Sequence, residues 1–338
     1  MRVNKITTNY SNYNNTFKSL RLSNGENDYS DTSFFRDSKT LEKSANLLKS
    51  TFPQGCDILD FAASNGEESI SLYSYIGDDK FKIHAYDRSE KAIDLGKKGV
   101  YSIFNIWAKD RFLINDSELE EKSEHKKERQ LRIRELFNKI MERVSKPEYE
   151  INDSDFLEML EQIEGSEVQY FKLKDKFRDK FEFDIADINQ IEDLAQDKEV
   201  GAVLFRNAMY IPTGNLAVNE FSFDTSEPID KEKVIEDIVK KVYNALKPEG
   251  LFILGNIEKE HIYLADEKIP QEEKYFIREY CVDIFKESPL RRALEKNGRF
   301  KPVGYSKVSQ PHLLFPDELL PTIWQKTKDS KVLQKVLM

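Results

Sequence analysis

The chain has 338 residues, with 52 Lys and Arg against 61 Asp and Glu and a formal charge of −9. That balance argues against a nucleic-acid-binding surface over the whole chain, because phosphate contacts are made by clustered Lys and Arg. Two cysteines (Cys56, Cys281) rule out a disulfide framework or a four-thiolate zinc site, four scattered histidines give no metal-ligand spacing, and no apolar run approaches the ~20 residues of a membrane span.

The expectation is therefore a cytoplasmic protein with no metal and no membrane insertion. At roughly 100–200 residues per domain, the length allows one large domain with an insertion, or two domains. Residues 1–31 are polar and Asn-rich and read as an N-terminal arm; residues 32–338 read as one domain. From Ser38 the spacing of Leu41, Ala45, Leu47 and Leu48 predicts a helix ending near Pro53. Asp57 to Phe61 is a short buried strand, Gly66 to Ile76 a helix, Phe81 to Asp87 an alternating strand and Ser89 to Lys98 a helix. This rhythm opens a parallel, doubly wound sheet.

From about Lys109 to Lys180 the rhythm breaks, and the segment reads as a charged insertion. Its Asp116 to Glu135 run is a solvated helix face, with Ile133, Leu136, Phe137, Ile140, Met141 and Val144 on one helical stripe. A strand-rich piece follows around Val168 to Leu173. The sheet rhythm returns with a strand at Val200 to Phe205, an amphipathic helix from Asp230 to Leu246 and a strand at Leu251 to Asn256. Phe300 to Tyr305 and His312 to Phe315 are expected to close the sheet as an antiparallel hairpin. The fold class is thus α/β, mostly parallel.

The first strand runs into Asp60-Phe61-Ala62-Ala63-Ser64-Asn65-Gly66-Glu67-Glu68. A turn of short residues between strand and helix lets a ligand approach the backbone and the helix N-terminus. A dinucleotide site would need more glycine, and the chain has only 13 in all; Ala62 and Ser64 stand where the earlier glycines would be. Two carboxylates at the helix start repel phosphate and suit an ammonium or sulfonium, so S-adenosylmethionine fits better than NAD or ATP. The same glutamates are equally read as favourable charge at a helix N-terminus. Asp87, ending the second strand, is placed to accept ribose hydroxyls, and is also a common helix cap. Asp187, after a third strand, can meet an adenine amino group or be an exposed loop carboxylate.

Several blocks in this order resemble the chemotaxis-receptor methyltransferases (CheR type), a family with the Rossmann-like class I S-adenosylmethionine-dependent methyltransferase fold. Thr32-Ser33-Phe34-Phe35-Arg36-Asp37 is similar to the family's T-x-F-F-R block, and Ala63 to Glu68 to its A-x-S-x-G-E-E turn. Tyr86-Asp87 with Ala92 and Gly99-Val100-Tyr101 resembles its D-x…A-x-x-G-x-Y stretch. Phe205 to Tyr210 resembles its C-R-N-V block, and Leu246 to Leu251 its L-K-P-x-G-L. The resemblance spans roughly Thr32 to Glu258. It implies S-adenosyl-L-methionine as cofactor, held by Thr32, Phe34, Arg36, Ala62, Ser64, Gly66, Glu67, Asp87, Asp187, Ile188, Arg206 and Asn207. Glu67 would take the methionine ammonium, Asp87 the ribose and Asp187 with Ile188 the adenine. Arg36, Arg206 and Tyr210 would be the catalytic residues.

The family methylates a glutamate side chain, so the implied partner is a protein carrying that glutamate, a chemoreceptor among the candidates. A carboxylate is ionised at neutral pH, its unperturbed pKa being ~4.3, and needs no general base. The chain departs from the family in three places. Ile211 holds the position matching the family's tyrosine near the methyl, with Tyr210 one residue ahead; the 31 residues before Thr32 are too few for the family's N-terminal helical domain; and the insertion is longer and more charged. Two other readings stay open: a methyltransferase for a small-molecule acceptor, and a cofactor-binding adaptor without catalysis. A nucleic-acid acceptor is disfavoured by the absence of an N-P-P-Y-like block at Arg206-Asn207-Ala208-Met209.

Overall fold

The computed structural model describes residues 33–104, 123–148, 168–206, 208, 230–255, 289–307 and 319–327. A seven-stranded sheet is built from β1 (Asp57–Phe61), β2 (Lys82–Asp87), β6 (Phe181–Ile185), β7 (Val200–Phe205), β8 (Leu251–Leu254), β9 (Phe300–Lys307) and β10 (Leu319–Lys326). Its order is β6-β2-β1-β7-β8-β10-β9. The five strands from β6 to β8 are parallel, and β10 runs antiparallel to both β8 and β9. The fold is thus α/β, a mostly parallel doubly wound sheet with an antiparallel pair of strands at one edge, as expected from the sequence. A smaller antiparallel sheet has the order β3-β5-β4, from Val100–Phe104, Val168–Leu173 and Met141–Val144. Its first strand starts ahead of the 109–180 span.

The central strands explain themselves. VGAVLF and LFIL are continuous apolar runs and all of β7 and β8 is buried, as expected of parallel strands covered on both faces, while DILDF sets Asp60 among the buried Ile58, Leu59 and Phe61. On one face lie α1 (Ser38–Thr51), α2 (Glu67–Ile76) and α4 (Glu124–Ile140), packed through Leu41, Leu48, Ile70, Tyr73 and Phe137. On the other lie α5 (Ile191–Leu194), α6 (Lys231–Ala245) and α7 (Pro289–Glu295), packed through Ile191, Ile235, Val239 and Leu290. The remaining helix, α3 (Glu90–Lys98), has Ser89 as its cap, accepting from the Ala92 N–H at 3.2 Å. All ten residues of α2 are buried between its neighbours.

Toward the strand starts, three strands are joined by side chains. The His84 imidazole, on β2, has Nε2 at 2.8 Å from Asp57 Oδ1 of β1 and Nδ1 at 2.7 Å from Glu182 Oε2 of β6. Lys82 pairs with the same Glu182.

Two expectations need correction. The helical stripe does not run to Val144: the helix stops at Ile140, and Met141 to Val144 pair with β5, Met141 opposite Leu173 and Val144 opposite Tyr170. Ile140 and Met141 are both buried, which a strand leaving a helix end allows and a continued stripe does not explain. The partner of β9 is Leu319–Lys326; His312 to Phe315 lie outside the described residues. Pro321 conceals that strand, because proline lacks a ladder donor; the ladder shifts register between Pro321 and Ile323 to accommodate it.

The chain winds from β1 outward through β2 to β6, then returns to build β7 and β8 on the other side of β1. The crevice at the carboxyl ends of β1 and β7 is therefore the topological switch point, where doubly wound sheets bind ligands.

Candidate functional site

Four segments that carry sequence-predicted site residues meet the carboxyl edge of the sheet: 62–66 after β1, Asp87 ending β2, 186–188 after β6 and Arg206 after β7. In the first, Ala62, Ser64 and Gly66 all have left-handed backbone, with φ of 56°, 55° and 87°. Ala62 and Ser64 thus hold a conformation that favours glycine, at roughly 1–2 kcal/mol each for a residue with a Cβ. Gly66 is required twice over. Besides its φ, a Cβ there would sit 2.4 Å from the Phe183 ring, which also packs over Gly96. The turn is pinned from outside: Ser64 N–H donates to Asp87 Oδ2 at 2.8 Å, and Tyr101 of the small sheet donates its hydroxyl to the Asn65 carbonyl at 3.0 Å. The other Asp87 oxygen accepts from Ser89 N–H at 2.9 Å.

Behind the turn is a buried charge cluster. Arg206 Nη1 lies 2.8 Å from Glu68 Oε2, off hydrogen-bond alignment, and its Nη2 donates to Asp37 Oδ2 at 3.3 Å. Arg36 Nη2 donates to the same Glu68 oxygen at 3.4 Å. The Arg206 side chain is 1% exposed and that of Arg36 13%, so neither is a surface ion-pair residue. Burial by itself would lower the Arg206 pKa, but the carboxylates of Glu68, Asp37 and Asp60 outweigh it and hold the guanidinium above its ordinary value. Asp60 behaves oppositely. Burial first, and then the Glu68 charge, push its carboxyl up to about 8, although it accepts from Ser69 Oγ at 2.6 Å. The 33–37 segment that brings Arg36 and Asp37 here is itself strained, with Phe35 and Asp37 left-handed.

The remaining predicted residues divide. Phe34 is 2% exposed and packs edge-on against Tyr101 and Phe137 at ring distances of 5.1 and 5.4 Å, so it joins the 33–37 segment to the small sheet. Asp187 caps a short 3-10 turn (Ile188–Gln190), accepting from Asn189 N–H at 2.9 Å, and Ile188 is in the core. Thr32, Asn207 and Tyr210 lie outside the described residues. The Cys56 thiol, pushed up to about 12 by burial and by the Asp57 charge, is no nucleophile. Among the described residues no group of three or more His, Cys, Asp or Glu is placed to hold a metal ion, and no helix is long and apolar enough to cross a membrane.

Whether these residues fit a sulfonium nucleoside with an amino-acid end is decided by two orphaned atoms. Asn65 Oδ1 is a buried acceptor without a donor among the described residues, while its amide nitrogen donates to Glu67 Oε1 at 3.2 Å. Arg206 Nε is a buried donor without an acceptor among them. An unsatisfied buried polar atom costs on the order of 1–3 kcal/mol. An ammonium satisfies the first and a carboxylate the second, so the residues fit. Sequence reasoning missed Asn65, Asp60 and the role of Glu68: Asn65 and Glu68 were legible only as parts of the turn, and Asp60 only as a strand residue.

No family model matches the chain, and no curated protein matches it in sequence. Solved structures with a similar backbone include TrmN from Thermus thermophilus, at 12% identity and TM-score 0.36, covering 83% of this chain and 48% of that one. A SAM-dependent methyltransferase from Methanosarcina mazei has 12% identity and TM-score 0.35, with 82% of this chain and 94% of that one covered. The O-methyltransferase from Bacillus cereus, in complex with SAH, has 9% identity and TM-score 0.37, with 85% and 80% covered. This chain thus spans about half the length of TrmN.

Proposed function

We propose that the chain is an S-adenosylmethionine-dependent methyltransferase of CheR-like type that transfers a methyl group to a carboxylate, a glutamate side chain of a protein, with a chemoreceptor as one candidate. The observation that carries the cofactor half is the pair of orphaned atoms, Asn65 Oδ1 and Arg206 Nε, at the switch point of a doubly wound sheet. Glu67 would take the ammonium, Asp87 the ribose, and Asp187 with Ile188 the adenine. Thr32, Arg36, Arg206 and Asn207 would border the methionine end.

The cofactor, when bound, supplies a methyl group activated by its sulfonium. The chain's own part is positioning. An acceptor carboxylate is already ionised, so no base has to remove a proton, and the work left is to hold it in line and to exclude water. Arg36, the more exposed of the two arginines, is the residue for that hold. One observation favours a small-molecule acceptor instead: both Nη atoms of Arg206 face Glu68 and Asp37, and its Nε–H is assigned above to the cofactor, which leaves Arg36 as the one arginine of the cluster for an acceptor carboxylate.

The experiment is transfer of tritium from labelled cofactor into protein. Label in a base-labile ester supports the carboxylate acceptor. Label recovered only in a base-stable product, or only in small molecules, overturns it.

A further inference from the structure

Glu67 and Glu68 are neighbours at the start of α2, yet their partners differ. One residue is about 100° of turn on a helix, and it separates a carboxylate that pairs with the Asn65 amide from one that gathers two guanidiniums. Favourable charge at a helix N-terminus accounts for both residues being acidic, but not for this division. Two arginines from distant parts of the chain, one before α1 and one after β7, converge on a single oxygen, Glu68 Oε2. One of them, Arg206, carries the buried Nε–H that has no acceptor among the described residues.

We propose that Glu68 is a positioning residue for the amino-acid end of the nucleoside cofactor: with Arg36 sharing its carboxylate, it fixes Arg206 so that the Nε–H is held ready for the ligand's carboxylate. The inference rests on the cofactor reading above. Glu68 acts through the arginines and does not touch the ligand. Asp37 takes the other side of Arg206, so the guanidinium is held from two directions, with Nε left over.

The test is calorimetric binding of S-adenosylhomocysteine and of 5′-methylthioadenosine, which has the nucleoside but no amino-acid end, to the wild-type chain and to Glu68→Gln. Removing a charge-assisted hydrogen bond from a buried site lowers affinity by about tenfold or more. That loss is expected for S-adenosylhomocysteine, with 5′-methylthioadenosine unchanged within about twofold. Unchanged affinity for both overturns the inference and leaves the cofactor reading intact. An equal loss for both also overturns it, because Glu68 would then support the whole turn. Failure of the wild-type chain to bind S-adenosylhomocysteine sinks the cofactor reading, and the inference with it. If Glu68→Gln does not fold, Glu68→Asp keeps the charge with a shorter reach; it must show the same selective loss in milder form, and full affinity in that variant overturns the proposal.

Discussion

The two ends of the central strands carry similar side chains in different states. At the strand starts, His84 lies between Asp57 and Glu182, Lys82 shares Glu182, and Asp57 also accepts from the Glu199 N–H at 2.9 Å. Here both carboxylates are held below their ordinary pKa: Asp57 mainly by its hydrogen bond to His84, Glu182 mainly by its hydrogen bond to Lys82. At the strand ends, carboxylates outnumber guanidiniums, Asp60 is pushed up to about 8, polar atoms are orphaned, and the backbone is left-handed at Ala62, Ser64, Phe35 and Asp37. The first end is compensated around His84, and its charges are explained by holding strands together; its departures are few, left-handed backbone at Glu249 before β8 and His84 Nδ1 off hydrogen-bond alignment with Glu182. The other violates local rules repeatedly, and such violations concentrate where a ligand is to be bound.

Removing one charge from each end tests that contrast most strongly. Arg206→Met leaves Glu68, Asp37 and Asp60 without their buried partner and is expected to cost about 3–5 kcal/mol in urea unfolding. Glu182→Gln at the other end should cost about 1 kcal/mol or less, because that side chain is 54% exposed and solvent screens the pair. Equal losses would erase the distinction. Next in size is Gly66→Ala. The new methyl meets the Phe183 ring in a left-handed backbone, and about 2–4 kcal/mol of destabilisation is expected from overpacking and strain together. A loss below that range would mean that Phe183 moves aside.

Much of the compensated framework is legible in the chain. β7 and β8 are short apolar runs bounded by turns, β1 carries Ile58, Leu59 and Phe61 ahead of the first turn, and the residues of that turn can be read one by one. What is not legible depends on convergence across the fold. Nothing local to Glu68, Arg206 or Asp37 says that the three meet, since the ends of β7 and of the 33–37 segment become neighbours only when the sheet forms. β10 was hidden for a local reason, Pro321 in a strand with partners on both sides. The strand at Met141 was hidden because its apolar residues extend the helical spacing of α4 for one more turn.

The two ends also answer to pH with opposite signs. The Asp57 and Glu182 carboxyls are depressed in the folded chain, so their contribution is present above the unfolded values of 3.8 and 4.5 and is lost as pH falls through the lower folded values. Asp60 is raised, so its contribution is fully present below 3.8 and is lost as pH rises toward about 8. Between these limits, the Asp60 end weakens the fold as pH rises. Asp60→Asn should flatten the dependence of the urea midpoint on pH from about 4 to 8 while leaving the acid loss below about 4 in place. An unchanged slope in that variant would place the Asp60 proton elsewhere.

The smallest effect is the most direct test of strain at the turn. Ala62 holds a left-handed φ of 56° where glycine would pay nothing for its backbone. Ala62→Gly relieves about 1–2 kcal/mol of that conformation and gives back part of it through the greater freedom of the unfolded chain, for a net gain of roughly 0.5–1 kcal/mol. The same change at a residue with ordinary helical backbone, Ala245→Gly at the end of α6, should instead destabilise by about 0.5–1 kcal/mol. Opposite signs in thermal unfolding would show that the strand-end turn keeps its shape against the preference of its own residue. A loss at both sites would show that Ala62 rests there without strain, and the contrast between the two ends would then be one of charge alone.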